Sequence, residues 1–338
     1  MKKTLSLILT MVLIVGLISG CTSQDTDSSG QSSSPGENHY PLTIENNGVS
    51  ITYESAPERI VALSYTTAEV LAALGLTDKV VSLAPSMNRI DEVIEEYRDE
   101  ISAIPVFDES GMTNGVPSLE VVLSAEPDFV FGSVYSFATN SCGTAEDYIA
   151  NNIGIYAENT GFGESPSLED LYTEIKNIGK IFNVEERAEA VVKKLKARES
   201  AVLEKLDGVE KVSVYIFDYD LGQGNYYTTG GSNLLDYVIS LAGGKGIFDD
   251  SGKAYVQVSA EEIIARNPEY VLAVSYYTED DGQSKIDSMK ASPDFADVEA
   301  VKANNFLSMS GLAVGASAGI QSLDSLETIA AFLHPDRF

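Results

Sequence analysis

The chain has 338 residues, enough for two or three average domains and a large buried core. Its 51 acidic residues outnumber its 22 basic ones, so the formal charge of −29 excludes a protein that neutralises a nucleic-acid backbone. Two cysteines (Cys21, Cys142) and two histidines (His39, His334) exclude a disulfide framework and a cysteine-built zinc site, and they argue against a histidine-rich metal site.

Lys2 and Lys3 precede an apolar run from Leu5 to Ile18 and then Ser19-Gly20-Cys21. A basic start, a short apolar stretch and small residues before a cut site make a secretory signal over residues 1–20. The small pair directly before a cysteine resembles the lipobox of bacterial lipoproteins. That resemblance makes Cys21 the lipidated mature N-terminus, and the protein extracytoplasmic and anchored to the cell membrane. An uncleaved anchor helix with an incidental Cys21 is the other reading. The Ser/Gly/Asp-rich stretch that follows has the composition of a flexible tether, assigned to residues 21–43.

From Arg59 onward, short β-rich runs alternate with helical patterns. Arg59–Ser64, Val80–Leu83, Phe129–Gly132, Val212–Phe217 and Tyr270–Ser275 read as strands, and Thr67–Leu74 as a helix stopped by Gly75. This is the signature of α/β units with mainly parallel sheets. Between the two groups, residues 167–206 carry helical periodicity, with Leu168, Leu171, Ile175, Ile178 and Phe182 on one face. Asn183 and Glu186 are spaced like a capping box, and a second helix follows, long enough to join two lobes as a strut. The organisation expected is an N-terminal α/β lobe over 44–166, the helical region over 167–206 and a C-terminal α/β lobe over 207–338.

An internal repeat supports that reading. Ser118, Glu120, Pro127 and Val130 recur at the same spacings as Ser259, Glu261, Pro268 and Val271. In both copies Ser caps a short helix, Glu sits in its first turn where the helix dipole favours an anion, and Pro precedes an apolar strand. Each lobe therefore carries a glutamate near the sheet edge where open α/β folds bind ligands.

The order and spacing of these pieces resemble the solute-binding proteins of iron–siderophore, haem and cobalamin ABC importers. The matching segments are Arg59–Ser64 with Ala68–Gly75, Leu119-Glu120 with Glu126–Asp128, Ile178–Phe182 with Glu186–Glu189, Gly230–Ser232 with Ala242–Gly244, and Ala330–Pro335. The resemblance implies two α/β lobes bridged by one long helix with the ligand between them, no catalysis and no cofactor. It also implies a permease with its ATPase as partner, docked through Glu120 and Glu261, and a monomeric receptor.

Residues just beyond strand ends are the candidate ligand contacts. In the first lobe these are Tyr65, Thr66, Asn88, Arg89, Tyr135 and Phe137. In the second they are Tyr219, Tyr226, Tyr227, Tyr255, Gln257, Tyr276, Tyr277 and Met309. Many tyrosines and no tryptophan suit a bulky, partly polar chelate. Arginine is scarce among these segments, so a weakly charged complex such as a ferric hydroxamate fits better than a triply anionic siderophore. Cobalamin and haem stay open as alternatives, and Asp218 and Asp220 could offer oxygen atoms to a bare metal. A hydrolase would need a nucleophile beside a base. His39 and His334 lie near the two ends of the body, and no Gly-x-Ser-x-Gly elbow occurs.

Overall fold

The computed structural model describes residues 39–338, apart from 87, 109, 111, 114, 162–164, 277, 279 and 316–318. The signal segment, Cys21 and Tyr277 lie outside the described residues. Strand structure begins at Leu42, ahead of the expected lobe boundary at 44, with the antiparallel hairpin Leu42–Asn46 and Val49–Tyr53. The chain is already tied down before it: His39 Nε2 lies 2.7 Å from the Lys180 carbonyl oxygen, and the Tyr40 hydroxyl donates to the Ile181 carbonyl at 2.6 Å.

Each lobe is built on a four-stranded parallel sheet. The first runs in the order Val80–Leu83, Ile60–Ala62, Phe129–Gly132, Gly154–Ala157. Ile60–Ala62 and Phe129–Gly132 are buried throughout, as strands covered on both faces must be. The second sheet runs Gly244–Gly246, Val212–Phe217, Tyr270–Ser275, Phe306–Ser310. Beside it lies a feature absent from the expected pattern, an antiparallel sheet of Tyr219–Gly222, Asn225–Gly230 and Lys253–Ser259. The segments expected to be cleft loops around Tyr219, Tyr226 and Tyr255 are strands of this sheet.

The helical region is a pair, Leu168–Ile181 and Glu185–Lys205. The second helix has 21 residues and is about 32 Å long at 1.5 Å per residue. The turn between them passes through Asn183 at φ 55°. Gly179 faces Ala188 across the pair so closely that any side chain at 179 would overlap the Ala188 methyl. One hydrophobic core includes Ile60 and Leu71 of the first lobe, Ile175 and Leu195 of the helix pair, and Leu235 and Leu326 of the C-terminal part. Arg198 of the long helix grips the C-terminal helix Ser322–Leu333 through Glu327 and Asp324. Gln321 then reaches the first lobe, donating to Glu69 Oε1 at 2.7 Å and to the Glu92 carbonyl at 2.9 Å.

The repeat folds twice in the same way. Ser118 caps Leu119–Ser124 by accepting from the Val121 N–H, and Ser259 caps Ala260–Arg266 by accepting from the Glu262 N–H. A residue at positive φ, Glu126 or Asn267, ends each helix directly before the proline.

Candidate functional site

The site is a cavity of about 740 Å³ between the lobes. Strand ends of the first sheet supply its floor. Ile60–Ala62 leads to Leu63 and Ser64, and Ser64 Oγ caps the helix Tyr65–Ala73 by accepting from the Thr67 N–H at 3.1 Å. Thr66, in the first turn, lines the cavity and donates from Oγ1 to Glu158 Oε1 at 2.8 Å. Glu158 stands at the end of Gly154–Ala157 and also lines the cavity. Phe129–Gly132 delivers Ser133, Tyr135 and Ser136. Asn88 and the small hairpin around Val116 and Pro117 complete this side.

The second lobe contributes Tyr255, Tyr276, Gly311 and Leu312. Tyr276 follows Tyr270–Ser275, and its hydroxyl hydrogen-bonds Asp218 at the end of Val212–Phe217. Burial lifts the Asp218 carboxyl to about 6, against the lowering effect of the Tyr276 hydroxyl and the Lys285 charge. Lys285 sits 5.3 Å from the Tyr276 ring centroid and 5.1 Å from that of Tyr219, with its Nζ bonded to Asp281 at 2.9 Å. Tyr219 stacks flat against Tyr276, with centroids 5.2 Å apart and an interplanar angle of 4°. Tyr227 backs Tyr255 in the same manner, at 5.4 Å and 6°. The second-lobe wall is thus two tyrosines, each braced by another. Burial raises the pKa of both Tyr255 and Tyr276, so both phenols are protonated at neutral pH. Tyr135 of the first lobe is close enough to Tyr255 to affect its ionisation.

The expected contacts therefore divide. Thr66, Asn88, Tyr135, Tyr255 and Tyr276 line the cavity. Tyr219 and Tyr227 stand behind it as braces. Gln257 is exposed beside Asn225, and Tyr226 turns the other way, into a second core against Phe217 and Phe295. Strand pleating sets Tyr226 apart, because adjacent residues such as Tyr226 and Tyr227 must face opposite sides of a sheet. Tyr65 is 6% exposed within the main core, and Met309 packs against that core. Phe137 packs edge-on against Tyr148 and lines a separate recess of about 470 Å³. Arg89 folds back on its own turn, bonded to Asp91 at 3.0 and 3.1 Å and to Glu92 at 3.2 Å. Asp220 accepts from the Gly222 N–H at 2.7 Å in a hairpin turn while Asp218 binds Tyr276, so the two do not converge on one point.

Cys142 lines the cavity but is 1% exposed, and burial pushes its thiol up to about 11, which makes it a poor nucleophile and a poor ligand. Sequence reasoning missed Glu158. The strand-end rule that selected Thr66 and Tyr135 applies equally to Gly154–Ala157, but that run is short and begins with glycine. The two candidate docking acids, Glu120 and Glu261, are both exposed. Hydrogen bonds from its own backbone and from Ser118 hold the Glu120 carboxyl below its usual range, so it is charged at neutral pH.

Comparison with known proteins agrees with this geometry. The chain is 23% identical over 345 residues to an uncharacterised ABC transporter substrate-binding lipoprotein, YvrC, of Bacillus subtilis, with 100% of this chain and 99% of the relative covered. It is 26% identical over 225 residues to a vitamin B12-binding protein of Vibrio campbellii, covering 67% of this chain and 74% of that one. Among solved structures, one described as an ABC-type Fe3+-hydroxamate transport system from Saccharomonospora viridis superposes with a TM-score of 0.73 at 25% identity, over 87% of this chain and 99% of that one. The model of the periplasmic binding protein family matches residues 60–311. With its paired parallel sheets, connecting helix and interlobe cavity, the chain belongs to the periplasmic binding protein family and is a binding protein rather than an enzyme.

Proposed function

We propose that this protein is the extracytoplasmic receptor of an ABC importer, held at the membrane through Cys21, and that it captures a ferric hydroxamate-type chelate for delivery to a permease. The observation that carries the ligand class is the cavity's composition. Its described lining is tyrosine, serine, threonine, asparagine and aliphatic carbon with Cys142 and one acid, Glu158, and it has no lysine, arginine or histidine. A triply anionic complex would leave its charge uncompensated in such a site. A hydroxamate complex instead presents amide groups and methylene chains to phenol faces and hydroxyls. Membrane delivery draws support from the lipobox resemblance and from the YvrC relative.

Cobalamin is the second reading, favoured by the vitamin B12-binding relative. It is bulkier than a trihydroxamate complex. Tyrosine fluorescence decides between them, since the chain has 17 tyrosines and no tryptophan to mask them. Saturable quenching by a ferric trihydroxamate at micromolar concentration or below is the expected result. Saturation by cyanocobalamin with no response to ferric hydroxamates would transfer the assignment to corrinoids.

A further inference from the structure

The cavity has a charge sign. Among its described lining residues the one ionisable group outside the tyrosines and Cys142 is Glu158, which is 1% exposed. Its Oε1 accepts from Thr66 Oγ1 at 2.8 Å, and Thr66 Oγ1 lies 2.6 Å from Ser64 Oγ. Ser64 and Thr66 open the nine-residue helix Tyr65–Ala73, so the carboxylate lies at the start of that helix. A helix N-terminus at the C-terminal edge of a parallel sheet is the usual seat for an anionic ligand. Here the chain's own carboxylate takes it.

Glu174 stands behind, also buried, accepting from the Asn159 N–H at 2.7 Å. Burial and the Glu158 charge hold the Glu174 carboxyl well above its ordinary range. The hydroxyl that Thr66 donates and the neighbouring helix N-terminus both favour the ionised form of Glu158. In the second lobe, the carboxyl nearest the wall is again an acid, Asp218, 3% exposed behind Tyr276. Lys285 is spent on Asp281 and on the Val274 carbonyl, and Arg89 on Asp91 and Glu92.

We propose that Glu158 is the charge-selecting residue of the cleft: it rejects anionic chelates and receives the ammonium group of cationic ones. The inference deepens the chelate-binding reading and rests on it. A second anion beside a buried carboxylate meets repulsion that little solvent screens. An ammonium group there gains a charge-assisted hydrogen bond instead, and a neutral complex meets neither effect.

The test uses the detergent-solubilised full chain and three probes: ferrioxamine B, which carries one ammonium group, its uncharged N-acetyl derivative, and a triply anionic ferric tricatecholate. We expect the wild type to bind the amine form about tenfold tighter than the acetylated form, a difference of about 1.4 kcal/mol. We expect Glu158→Gln to reduce that ratio to about twofold or less. The tricatecholate should bind the wild type at least about a hundredfold more weakly than the acetylated form, and should gain affinity in Glu158→Gln. The wild-type ratio needs no variant and should persist at high salt, because a buried pair is little screened, whereas a ratio set only by the general acidic field of the chain would vanish there and overturn the role of Glu158. Equal affinity for the amine and acetylated forms, or a ratio that survives the substitution, overturns the role of Glu158 and leaves hydroxamate binding standing. No binding of either ferrioxamine overturns the chelate reading and this inference together.

Discussion

At the scale of single residues, the molecule carries several carboxyls whose titration burial lifts into the range around neutral pH. Glu69, 0% exposed, is lifted to about 8, Asp236 to about 7 and Asp218 to about 6, desolvation being the largest cause for each. In the unfolded chain all three titrate near 4. Between those limits the folded state binds more protons than the unfolded state, so stability falls as pH rises. The stabilising contribution is complete below about pH 4 and is lost progressively as pH climbs through about 6 to 8, with a slope of up to about 1.4 kcal/mol per pH unit for each group. A melting temperature that drops between about pH 5 and pH 9 is expected, and Glu69→Gln should flatten the upper part of that curve. A melting temperature that rises over this range would contradict these protonation states. None of the three was legible as a buried acid, because residue type does not reveal desolvation. Tyr255 and Tyr276 were legible, as bulky residues past strand ends. Their braces were not distinguished from them, since Tyr227 shares a sheet face with Tyr255 and the strand arrangement that sets one behind the other is not visible in the sequence pattern.

At the scale of elements, alternation and the two serine caps were read correctly where the chemistry is local, whereas Asn183 does not cap the long helix: it lies in the preceding turn at φ 55°, and the helix starts after Val184 without a side-chain cap. Val80–Leu83, Phe129–Gly132, Val212–Phe217 and Tyr270–Ser275 form strands over the residues their apolar runs mark. The antiparallel sheet Tyr219–Ser259 escaped notice because its strands are rich in tyrosine, threonine and glycine and its partners are long-range. Two motifs noticed for their spacing acquire a mechanical reason. Gly179 exists because Ala188 leaves no room for a side chain between the paired helices. Arg187 donates from Nη1 to the Leu74 carbonyl at 3.0 Å and the Gly75 carbonyl at 3.3 Å, closing the C-terminus of the cleft helix from the neighbouring strut. Gly179→Val should therefore lower stability by about 2 kcal/mol or more through overpacking, read as a lower urea midpoint at unchanged slope. An unchanged midpoint would mean the helix pair has slack that its close approach does not show.

At the scale of the whole molecule, the lobes are held by more than one connection. The long helix carries Arg198 to Asp324 and Glu327, and Gln321 carries the C-terminal segment back to Glu69 and Glu92. Such a joint resists the wide hinge opening that flexible crossover strands allow. The exposed pair Glu120 and Glu261, one to a lobe, is proposed to meet basic residues of the permease, two charged contacts that set orientation. Replacing both with alanine is expected to abolish uptake while leaving chelate affinity within about threefold, about 0.65 kcal/mol. Loss of binding in solution would assign them to the cleft instead. The stiffness of that joint has a kinetic corollary. If the outline hardly changes when cargo arrives, an empty receptor offers the permease much the same handhold as a full one, and idle copies become decoys. Uptake at fixed cargo should climb as receptor is added, pass through a maximum, and then decline as vacant copies crowd the entrance.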